Sequence, residues 1–559
     1  RLSTMDSNNN EFSALNYFRE EGSLYFSESG LDHVRAFLGR EAKGDDRIIT
    51  APFAKGQDIQ DVMDEWDSHL KSIANQWPTL YEFENDLRAK VGPTSVIKPM
   101  ASRLPDVQSY YTLGGYSTSA QTISDDARLA FLREVSGISG IRARSVDLTI
   151  DKMKKSTSSG PPEMVKKRVY LKDGYEDRSI YRGTQRGIPV VFTADPVDLP
   201  NWKGFYSAVC GVRGQEKGPE PKDTANRVVW MFPTDVTVAE QRVYQPIIES
   251  CQRFNIIPAW VSNDAVDDRM THLFDTKGDN PIICTDFTKY DQHFNSALQT
   301  SVRDVLGKLL TRNAYNDYWL REIYPIKYMI PIITQMSDGG HVRVFKGIHG
   351  MASGSTGTLT DESFAHRMMQ HEAALKFGKG LNLNSQCEGD DGCISYPGVT
   401  VDHVLDTYCS HGLEMNETKQ HVSYQDAVYL RRWYHQDYRP DGICRGVYST
   451  FRAIGRLRYM ERQVEPDVWT PQNVELRWLS ILENCKWHPY REAFVDFVMK
   501  KDRYRLGLDL PGFLDDIEKY VDEAMANGLD PIGYTKALRG EKLTGIKNWW
   551  VYNYVMSHR

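Results

Sequence analysis

The sequence predicts a mixed fold of α-helices and β-strands, an α/β class whose C-terminal part is helical. Between about residues 280 and 430, short apolar runs that suit strands alternate with longer helical patterns. The runs that begin at Pro281 and Cys393 are two such strands. From about residue 466 onward the pattern is helical and carries five tryptophans. A helical C-terminal third after a mixed central region is therefore expected.

The composition is that of a large globular protein. At about 150 residues per domain, the length indicates several domains or subdomains, and the 40% hydrophobic content suffices for a large core. No stretch approaches the ~20 apolar residues of a membrane span, and the first thirty residues lack a secretory pattern. The eight cysteines include no CxxC pair, which favours reduced thiols over disulfides or a zinc site. We expect a soluble intracellular enzyme with no membrane partner.

Charge is distributed unevenly along the chain. The net charge is −7, which argues against general affinity for nucleic acid. Yet residues 152–186 hold ten Lys and Arg against four acids, and residues 431–458 hold seven Arg against two Asp. Basic clusters in an acidic chain suit a polyanion bound in an internal channel. Solvated helix faces are the alternative interpretation of each cluster.

Elements outside the central region follow from periodicity and from turn residues. Residues 58–91 are expected to be helical, because apolar side chains recur there at helical spacing. Residues 156–163 and 214–223 are rich in Gly, Pro, Ser and charge, which predicts exposed loops.

Two carboxylates follow the first strand of the central region. The apolar run 282–285 ends in Asp286, and Asp291 comes five residues later, where a helix could begin. An acid at a strand end lies at the rim of a sheet, exposed to ligand and rigidly held. This spacing is common in long chains and, taken alone, would more often be structural.

A segment of small residues follows roughly 70 residues later. It includes Ser353, Gly354 and Thr358 and leads into a helical pattern from Leu359 to Phe377. Small residues before a helix let the backbone approach a ligand closely and leave N–H groups free. Such segments are also common helix caps.

The third segment, roughly 40 residues further on, places two acids in a tight turn. Asp390 and Asp391 lie between Gly389 and Gly392, and the flanking segments could pair as a hairpin. Alone, this pattern is as often a surface turn. The three segments in this order are far less often accidental.

Together the three segments resemble motifs A, B and C of viral RNA-dependent RNA polymerases, with residues 389–391 as the GDD turn. The phrase at 286–295 is most similar to picobirnavirus polymerases, with partitivirus enzymes next. The specific resemblance covers about residues 200–460. It implies a closed right-hand fold with fingers, an antiparallel palm sheet and a helical thumb. Reverse transcriptases also carry paired acids, but the glycine before them favours RNA copying.

The resemblance implies catalysis by two Mg²⁺ ions, with Mn²⁺ as an alternative ion. Two ions about 3.5–4 Å apart can stabilise the attacking and leaving oxygens of nucleotidyl transfer. Mg²⁺ prefers carboxylate oxygens. Asp286 and Asp390 would be the main ligands, and Asp391 an outer or second-metal ligand.

The resemblance also implies a site that tests the ribose of the incoming NTP. Asp291 would accept a hydrogen bond from the 2′-OH, together with Ser353 and Thr358, and so select NTP over dNTP. Where the family often has Asn or Asp, this chain has Glu362. Asp361 is a competing candidate.

Cations for the triphosphate are expected upstream of the acids. The run 224–233 resembles motif F, in which an arginine reaches the phosphates, and Arg227 is the first choice. Arg213 and Lys217 are weaker candidates, and an exposed loop charge is the alternative for Lys217.

Two downstream segments resemble motifs D and E. Lys419 could protonate the leaving pyrophosphate, which requires a positioned donor, although a plain surface lysine is nearly as good an interpretation. Arg431 and Arg432 fall where motif E would contact the phosphates of the primer strand.

The predicted organisation assigns palm to 276–300 and 350–444, and fingers to 101–275 and 301–349. The thumb and C-terminal tail would be 445–559, and residues 1–100 would bridge fingers to thumb. The expected activity replicates and transcribes the RNA genome of a double-stranded RNA virus. The expected partners are RNA template and product, NTPs and a capsid protein, for a monomer located in the virion interior or host cytoplasm. The alternatives are a reverse transcriptase-like nucleotidyl transferase and a non-catalytic RNA-packaging or capsid protein.

Overall fold

A computed structural model describes most of the chain. The described residues are 11–13, 28–115, 119–171, 184–185, 188–189, 207–335, 342–529 and 545–559. Within these ranges the helices are α1 (Glu28–Lys43), α2 (Ile59–Leu70), α3 (Pro78–Arg88), α4 (Leu104–Thr112), α5 (Asp125–Glu134), α6 (Val146–Asp151), α7 (Lys167–Tyr170), α8 (Thr234–Arg253), α9 (Asn263–Thr276), α10 (Tyr290–His293), α11 (Ser296–Leu309), α12 (Ala314–Tyr318), α13 (Thr358–Lys376), α14 (Val401–Cys409), α15 (Thr450–Arg458), α16 (Pro471–Glu483), α17 (Arg491–Lys501), α18 (Ile517–Ala526) and α19 (Trp550–Met556).

The strands of the described residues are short. They are β1 (Glu11–Ser13), β2 (Thr184–Gln185), β3 (Ile188–Pro189), β4 (Ala208–Gln215), β5 (Ala225–Met231), β6 (Ile282–Thr285), β7 (Ile332–Gln335), β8 (Val342–Phe345), β9 (Gln386–Glu388), β10 (Asp391–Ile394), β11 (His421–Ser423), β12 (Asp426–Tyr429), β13 (Arg432–His435) and β14 (Val447–Tyr448). The small β2–β3 pair stands apart from the larger sheets.

A four-stranded sheet forms the centre of the structure. Its order is β11-β6-β10-β9, and every neighbouring pair is antiparallel. Strand β6 is buried along its whole length because it lies between β11 and β10 and under helices. The strands that the sequence predicted near Pro281 and Cys393 are β6 and β10, so both predictions are confirmed.

A five-stranded sheet lies beside this centre, in the order β1-β8-β7-β4-β5. All of its pairs are antiparallel except β4 with β7. Strands β4 and β5 form a long hairpin in which Arg213 is paired with Arg227. A third sheet, β12-β13-β14, follows the central sheet in the chain.

Helix α13 is almost entirely buried behind the central sheet, and it confirms the helix predicted from Leu359 to Phe377. It is polar for a buried helix, and charged residues such as Arg367 and Glu372 are bonded inside the protein. Arg367 donates to both carboxylate oxygens of Glu134 on α5. Glu372 accepts from the ring of His411 at 2.6 Å. Polar groups buried this deeply require such partners.

Two large hydrophobic cores organise the described residues. One contains the central and five-stranded sheets together with α1, α8, α11 and α13. The other combines residues 53–91 with the C-terminal helices and part of the β12–β14 sheet. Trp66 joins the two parts of this second core, since its indole N–H donates to Thr450 at 2.8 Å.

The predicted helical stretch 58–91 is interrupted. Helix α2 ends at Leu70, a 3₁₀ turn follows, and α3 begins only at Pro78. Pro78 lacks an N–H and therefore suits the first turn of a new helix rather than the interior of a long one. Among the described residues, no helix is long and apolar enough to cross a membrane.

Candidate active site

One cavity of about 670 Å³ collects most of the predicted site residues. It lies where the central sheet meets the β4–β5 hairpin and the β12–β13 turn. The predicted residues that line it are Asp291, Ser353, Thr358, Glu362, Asp390, Asp391, Arg227, Arg431 and Arg432. Carboxylates and guanidinium groups therefore line the same cavity, which has the size of an ordinary ligand pocket.

Asp286 lies at the end of β6, next to the turn that carries the other acids. Thr285, the last residue of β6, is paired with Gly392 of β10, so Asp286 comes level with the start of β10. The side chain of Asp286 is exposed and is not among the residues that line the cavity. Asp286 nevertheless lies close enough to Asp390 for its negative charge to contribute to the raised pKa of Asp390.

The predicted hairpin around Asp390 and Asp391 is confirmed. Glu388 and Asp391 are paired, which leaves Gly389 and Asp390 as a two-residue turn. Gly389 has φ +58°, the left-handed conformation that tight hairpin turns require and that glycine adopts without strain. Burial and the neighbouring Asp291 raise the pKa of Asp390. Burial and Asp390 raise the pKa of Asp391 to about 7.

Asp391 is also bonded to the turn between β12 and β13. Its Oδ2 accepts a hydrogen bond from the Leu430 N–H at 2.8 Å. Leu430 and Arg431 both have positive φ, so this is a two-residue turn of the primed kind without a glycine. The bond to Asp391 helps to hold a backbone conformation that is strained for side-chain-bearing residues. Arg431 and Arg432 are thereby placed at the cavity wall.

Asp291 is the centre of a second polar group in the cavity. Ser353 donates its hydroxyl to Asp291 Oδ2, and the Arg227 guanidinium lies 3.4 Å from the same oxygen. Arg227 is half-exposed, whereas the Asp291 side chain is only 17% exposed. The structure therefore brings one predicted acid, one predicted hydroxyl and one predicted cation into direct contact.

Gly354 and Thr358 shape the loop that presents Ser353. Gly354 has φ +130°, and a Cβ there would lie 2.0 Å from the Trp230 carbonyl oxygen on β5. The loop can cross β5 only with glycine at this position, so Gly354 acts through packing and does not line the cavity. Thr358 begins α13 and lines the cavity, and its hydroxyl has no hydrogen-bond partner among the described residues.

Glu362 and Asp361, the two competing acids, differ in their surroundings. Glu362 lines the cavity, and burial together with the nearby Asp291 raises its pKa well above the usual range. Asp361 is fully buried, accepts hydrogen bonds from two tyrosines and lies 3.0 Å from the buried Lys327 ammonium. The Asp361 carboxylate is therefore bonded to buried side chains, and Glu362 is the acid of the two that a ligand in the cavity would contact.

Three predicted cations lie outside the cavity lining. Arg213 is exposed and pairs with Glu461 at 3.4 Å. Lys217 follows β4 in the loop toward β5, and Lys419 is exposed at the end of a short 3₁₀ turn. The predicted phosphate contacts of Arg213 and Lys217 and the predicted proton-donor role of Lys419 stay predictions, because none of the three lines the cavity.

The acids fit divalent Mg²⁺ by their chemistry. Asp286, Asp390 and Asp391 bring carboxylate oxygens to one end of the central sheet, and the pKa of Asp390 is raised in part by the negative charge of Asp286. A cation would relieve this repulsion. In the described ranges, no group of three or more His, Cys, Asp or Glu side chains is arranged as a complete metal-binding site.

Comparison with known proteins identifies the family. Residues 102–499 match the sequence model of the viral RNA-dependent RNA polymerases. The chain is 46% identical over 540 residues to a potential RNA-dependent RNA polymerase of human picobirnavirus (strain Human/Thailand/Hy005102/-), covering 94% of this chain and 97% of that protein. The chain belongs to the viral RNA-dependent RNA polymerase family.

Solved structures agree with this assignment. The crystal structure of a human picobirnavirus RNA-dependent RNA polymerase superposes with a TM-score of 0.84 at 44% identity, covering 96% of this chain and 99% of that one. Its insertion loop deletion mutant gives a TM-score of 0.83 at 43% identity with the same coverage. The predicted family, the polymerase fold and the enzyme class, an RNA-directed RNA polymerase, are thereby confirmed. The polymerase acts on an RNA template and NTPs, and its family uses divalent metal ions.

Several residues of the polymerase site were missed by sequence reasoning. Gln420 bonds to the backbone of Asp286, and Ser363 and His366 bond to Gly389. Nothing in the local pattern distinguishes these side chains from other polar residues. These side chains are recognised only from their contacts with the motif segments in the folded structure.

Proposed function

We propose that the polymerase adds ribonucleotides to an RNA 3′-OH under the direction of an RNA template and releases pyrophosphate, with two Mg²⁺ ions at the acids. The observation that carries this proposal is the single cavity that joins the GDD turn to Asp291, Ser353 and Arg227. A cavity lined by both carboxylates and guanidinium groups suits a nucleotide whose phosphates need both metal ions and cations.

Three aspartates would hold the ions. Asp286 and Asp390 are the main ligands in this proposal, and Asp391, already bonded to the Leu430 N–H, is the outer or second-metal ligand. When bound, Mg²⁺ or Mn²⁺ would stabilise negative charge on the attacking and leaving oxygens. The chain itself contributes carboxylates at a strand end and in a two-residue turn.

The ribose would be tested at Asp291. Its carboxylate already accepts from Ser353, and it retains lone pairs that a ribose 2′-OH could use. Thr358 offers a hydroxyl without a partner among the described residues. Burial and the nearby Asp291 raise the pKa of Glu362, which favours the protonated form, and in that form it could donate to the sugar or to Asp291. Together these groups would distinguish NTP from dNTP.

Phosphate and RNA contacts are assigned to the basic residues. Arg227 faces the cavity and would contact the triphosphate, while Arg431 and Arg432 would contact RNA phosphates. Arg213 and Lys217 remain weaker candidates for phosphate, since they lie outside the cavity lining. Lys419 remains a candidate for the proton donor to pyrophosphate.

The domain assignment is part of the proposal. Palm would comprise 276–300 and 350–444, fingers 101–275 and 301–349, and thumb with tail 445–559. Residues 1–100 would bridge fingers and thumb. The two cores support this bridge, because α1 packs in the first core whereas residues 53–91 pack in the second with the C-terminal helices.

The biological setting follows from the relatives. We infer that the polymerase replicates and transcribes the genome of a double-stranded RNA virus as a monomer. It would work in the virion interior or in the host cytoplasm, with a capsid protein as partner.

Incorporation of radiolabelled NTP on a poly-pyrimidine RNA template with Mg²⁺ tests the proposal. We expect Asp390→Asn to abolish incorporation, since it removes a ligand charge while keeping the shape of the side chain. An equal incorporation by the wild type and Asp390→Asn would refute the metal site.

A further inference from the structure

The backbone that carries Asp286 is held by one side chain from the neighbouring strand. Gln420 lies directly before β11, and its Oε1 accepts from the Asp286 N–H at 2.8 Å. Its Nε2 donates to the Asp286 carbonyl at 2.9 Å and to the Asn416 carbonyl at 2.9 Å. The amide therefore satisfies both polar backbone groups of Asp286 and ties them to the segment that carries Lys419.

The turn that carries Asp390 is held in the same way from helix α13. The Gly389 N–H donates to Ser363 Oγ at 2.8 Å, and His366 Nδ1 lies 2.9 Å from the Gly389 carbonyl oxygen. Since a carbonyl can only accept, Nδ1 carries the proton. Burial lowers the pKa of His366 to about 4, so the ring is neutral. Ser363 and His366 are both fully buried, one helical turn apart.

Two glycines make this approach possible. Gly389 takes the positive φ that the turn needs. A Cβ at Gly392 would lie 2.6 Å from the His366 ring, so only glycine leaves room for the histidine behind the turn. The two glycines at 389 and 392 therefore permit both the hairpin turn and its close contact with Ser363 and His366 of α13.

We propose that Gln420, Ser363 and His366 are positioning residues that fix the separation of the Asp286 and Asp390 segments before metal ions bind. The inference rests on the proposed function, since it presumes that these aspartates hold the ions. Groups that orient metal ligands typically affect metal affinity or activity by about 10–100-fold. Helix α13 also carries Thr358 and Glu362, so it links the sugar side of the cavity to the metal side.

The affinity of the full chain for Mn²⁺, measured by electron paramagnetic resonance in the absence of NTP and RNA, tests this inference. We expect Gln420→Met and Ser363→Ala each to weaken Mn²⁺ binding by about tenfold or more. Gln425→Met is the matched control for Gln420, because Gln425 is an exposed glutamine five residues away. Its affinity should equal that of the wild type.

The two replacements of His366 separate positioning from folding. His366→Asn keeps an N–H donor near the position of Nδ1 and should retain most of the Mn²⁺ affinity. His366→Leu keeps bulk without a donor and should lose it, and the circular dichroism and melting temperature of each variant establish whether it folds. Folded Gln420→Met and Ser363→Ala variants with affinities within twofold of the wild type would overturn the inference.

Asp390→Asn distinguishes this inference from the proposed function. If it abolishes Mn²⁺ binding and nucleotide incorporation while Gln420→Met, Ser363→Ala and His366→Leu behave as the wild type, only the positioning role fails. If Asp390→Asn leaves both unchanged, the proposed function fails as well.

Discussion

Removal of the Asp291 carboxylate should reduce the discrimination between NTP and dNTP. In the structure this carboxylate is mostly buried, accepts from Ser353 and lies 3.4 Å from Arg227. A hydrogen bond to a charged group contributes about 1.5–3 kcal/mol. At about 1.4 kcal/mol per tenfold, the ratio of kcat/KM for NTP over dNTP would fall by about 10–150-fold.

The local geometry places the expected effect of Asp291→Ala near the lower end of this range. Without the carboxylate, the Ser353 hydroxyl loses its acceptor and becomes available to the ribose. It would therefore replace part of the lost interaction. We expect a fall of about tenfold, mainly through a lower kcat/KM for NTP, since a dNTP has no 2′-OH to lose.

Single-nucleotide extension of a primed RNA template measures this ratio directly. Asp106→Ala is the matched control, because Asp106 also lines the cavity but lies 3.5 Å from Lys289 rather than near Ser353. It should leave the ratio of NTP to dNTP unchanged. The assigned role is refuted if Asp291→Ala lowers kcat/KM equally for both substrates, or leaves the ratio as in the wild type.

Three further predictions follow from individual contacts. Arg227→Ala should raise KM for NTP several-fold more than it weakens RNA binding, measured by steady-state kinetics and fluorescence anisotropy, and the reverse pattern would assign Arg227 to the template. Gly354→Ala should lower the free energy of unfolding in urea by more than about 1–3 kcal/mol, the cost of backbone strain alone, because the added Cβ also clashes with the Trp230 carbonyl. Gly442 also has positive φ but faces open space, so Gly442→Ala should show the cost of strain alone. Burial raises the pKa of Glu84 from 4.5 to about 7, so its contribution to stability is full below about pH 4.5 and is lost as the pH rises toward 7. The stability of Glu84→Gln relative to the wild type should therefore rise as the pH increases from about 4.5 to about 7. A difference in unfolding free energy that does not change with pH would contradict the raised pKa of Glu84.

The parts of the site that sequence reasoning predicted are those in which the chemistry dictates the residue type. Carboxylates at a strand end and in a glycine turn are recognisable as candidate metal ligands because Mg²⁺ prefers carboxylate oxygens, and the hairpin around Asp390 followed from its glycines. Asp291 was placed at a helix start, and α10 is indeed a helix there, although only a single turn before α11 begins. Short-range pattern could not show that interruption.

The supporting residues could not be predicted because their function is defined by distant partners. Gln420 and Asp286 are 134 residues apart in the chain, and His366 and Gly389 are 23 apart. A buried histidine on a helix resembles any packed core residue until the turn it contacts is known. The second core, which joins residues 53–91 to the C-terminal helices, is likewise a matter of tertiary packing.

Two ion pairs at the end of β4 differ in what they contribute to stability. The β4 end contacts the C-terminal region twice, through Arg213 with Glu461 at 3.4 Å and through Glu216 with Arg452 at 3.2 Å. The Arg213 side chain is 65% exposed, and exposed pairs contribute only about 0–1 kcal/mol. Arg452 is buried, so losing Glu216 would leave an uncompensated buried charge, which is far more costly. The buried Glu216–Arg452 pair therefore contributes more to this contact than the exposed pair does, and Arg213 can separate from Glu461 at little cost in stability.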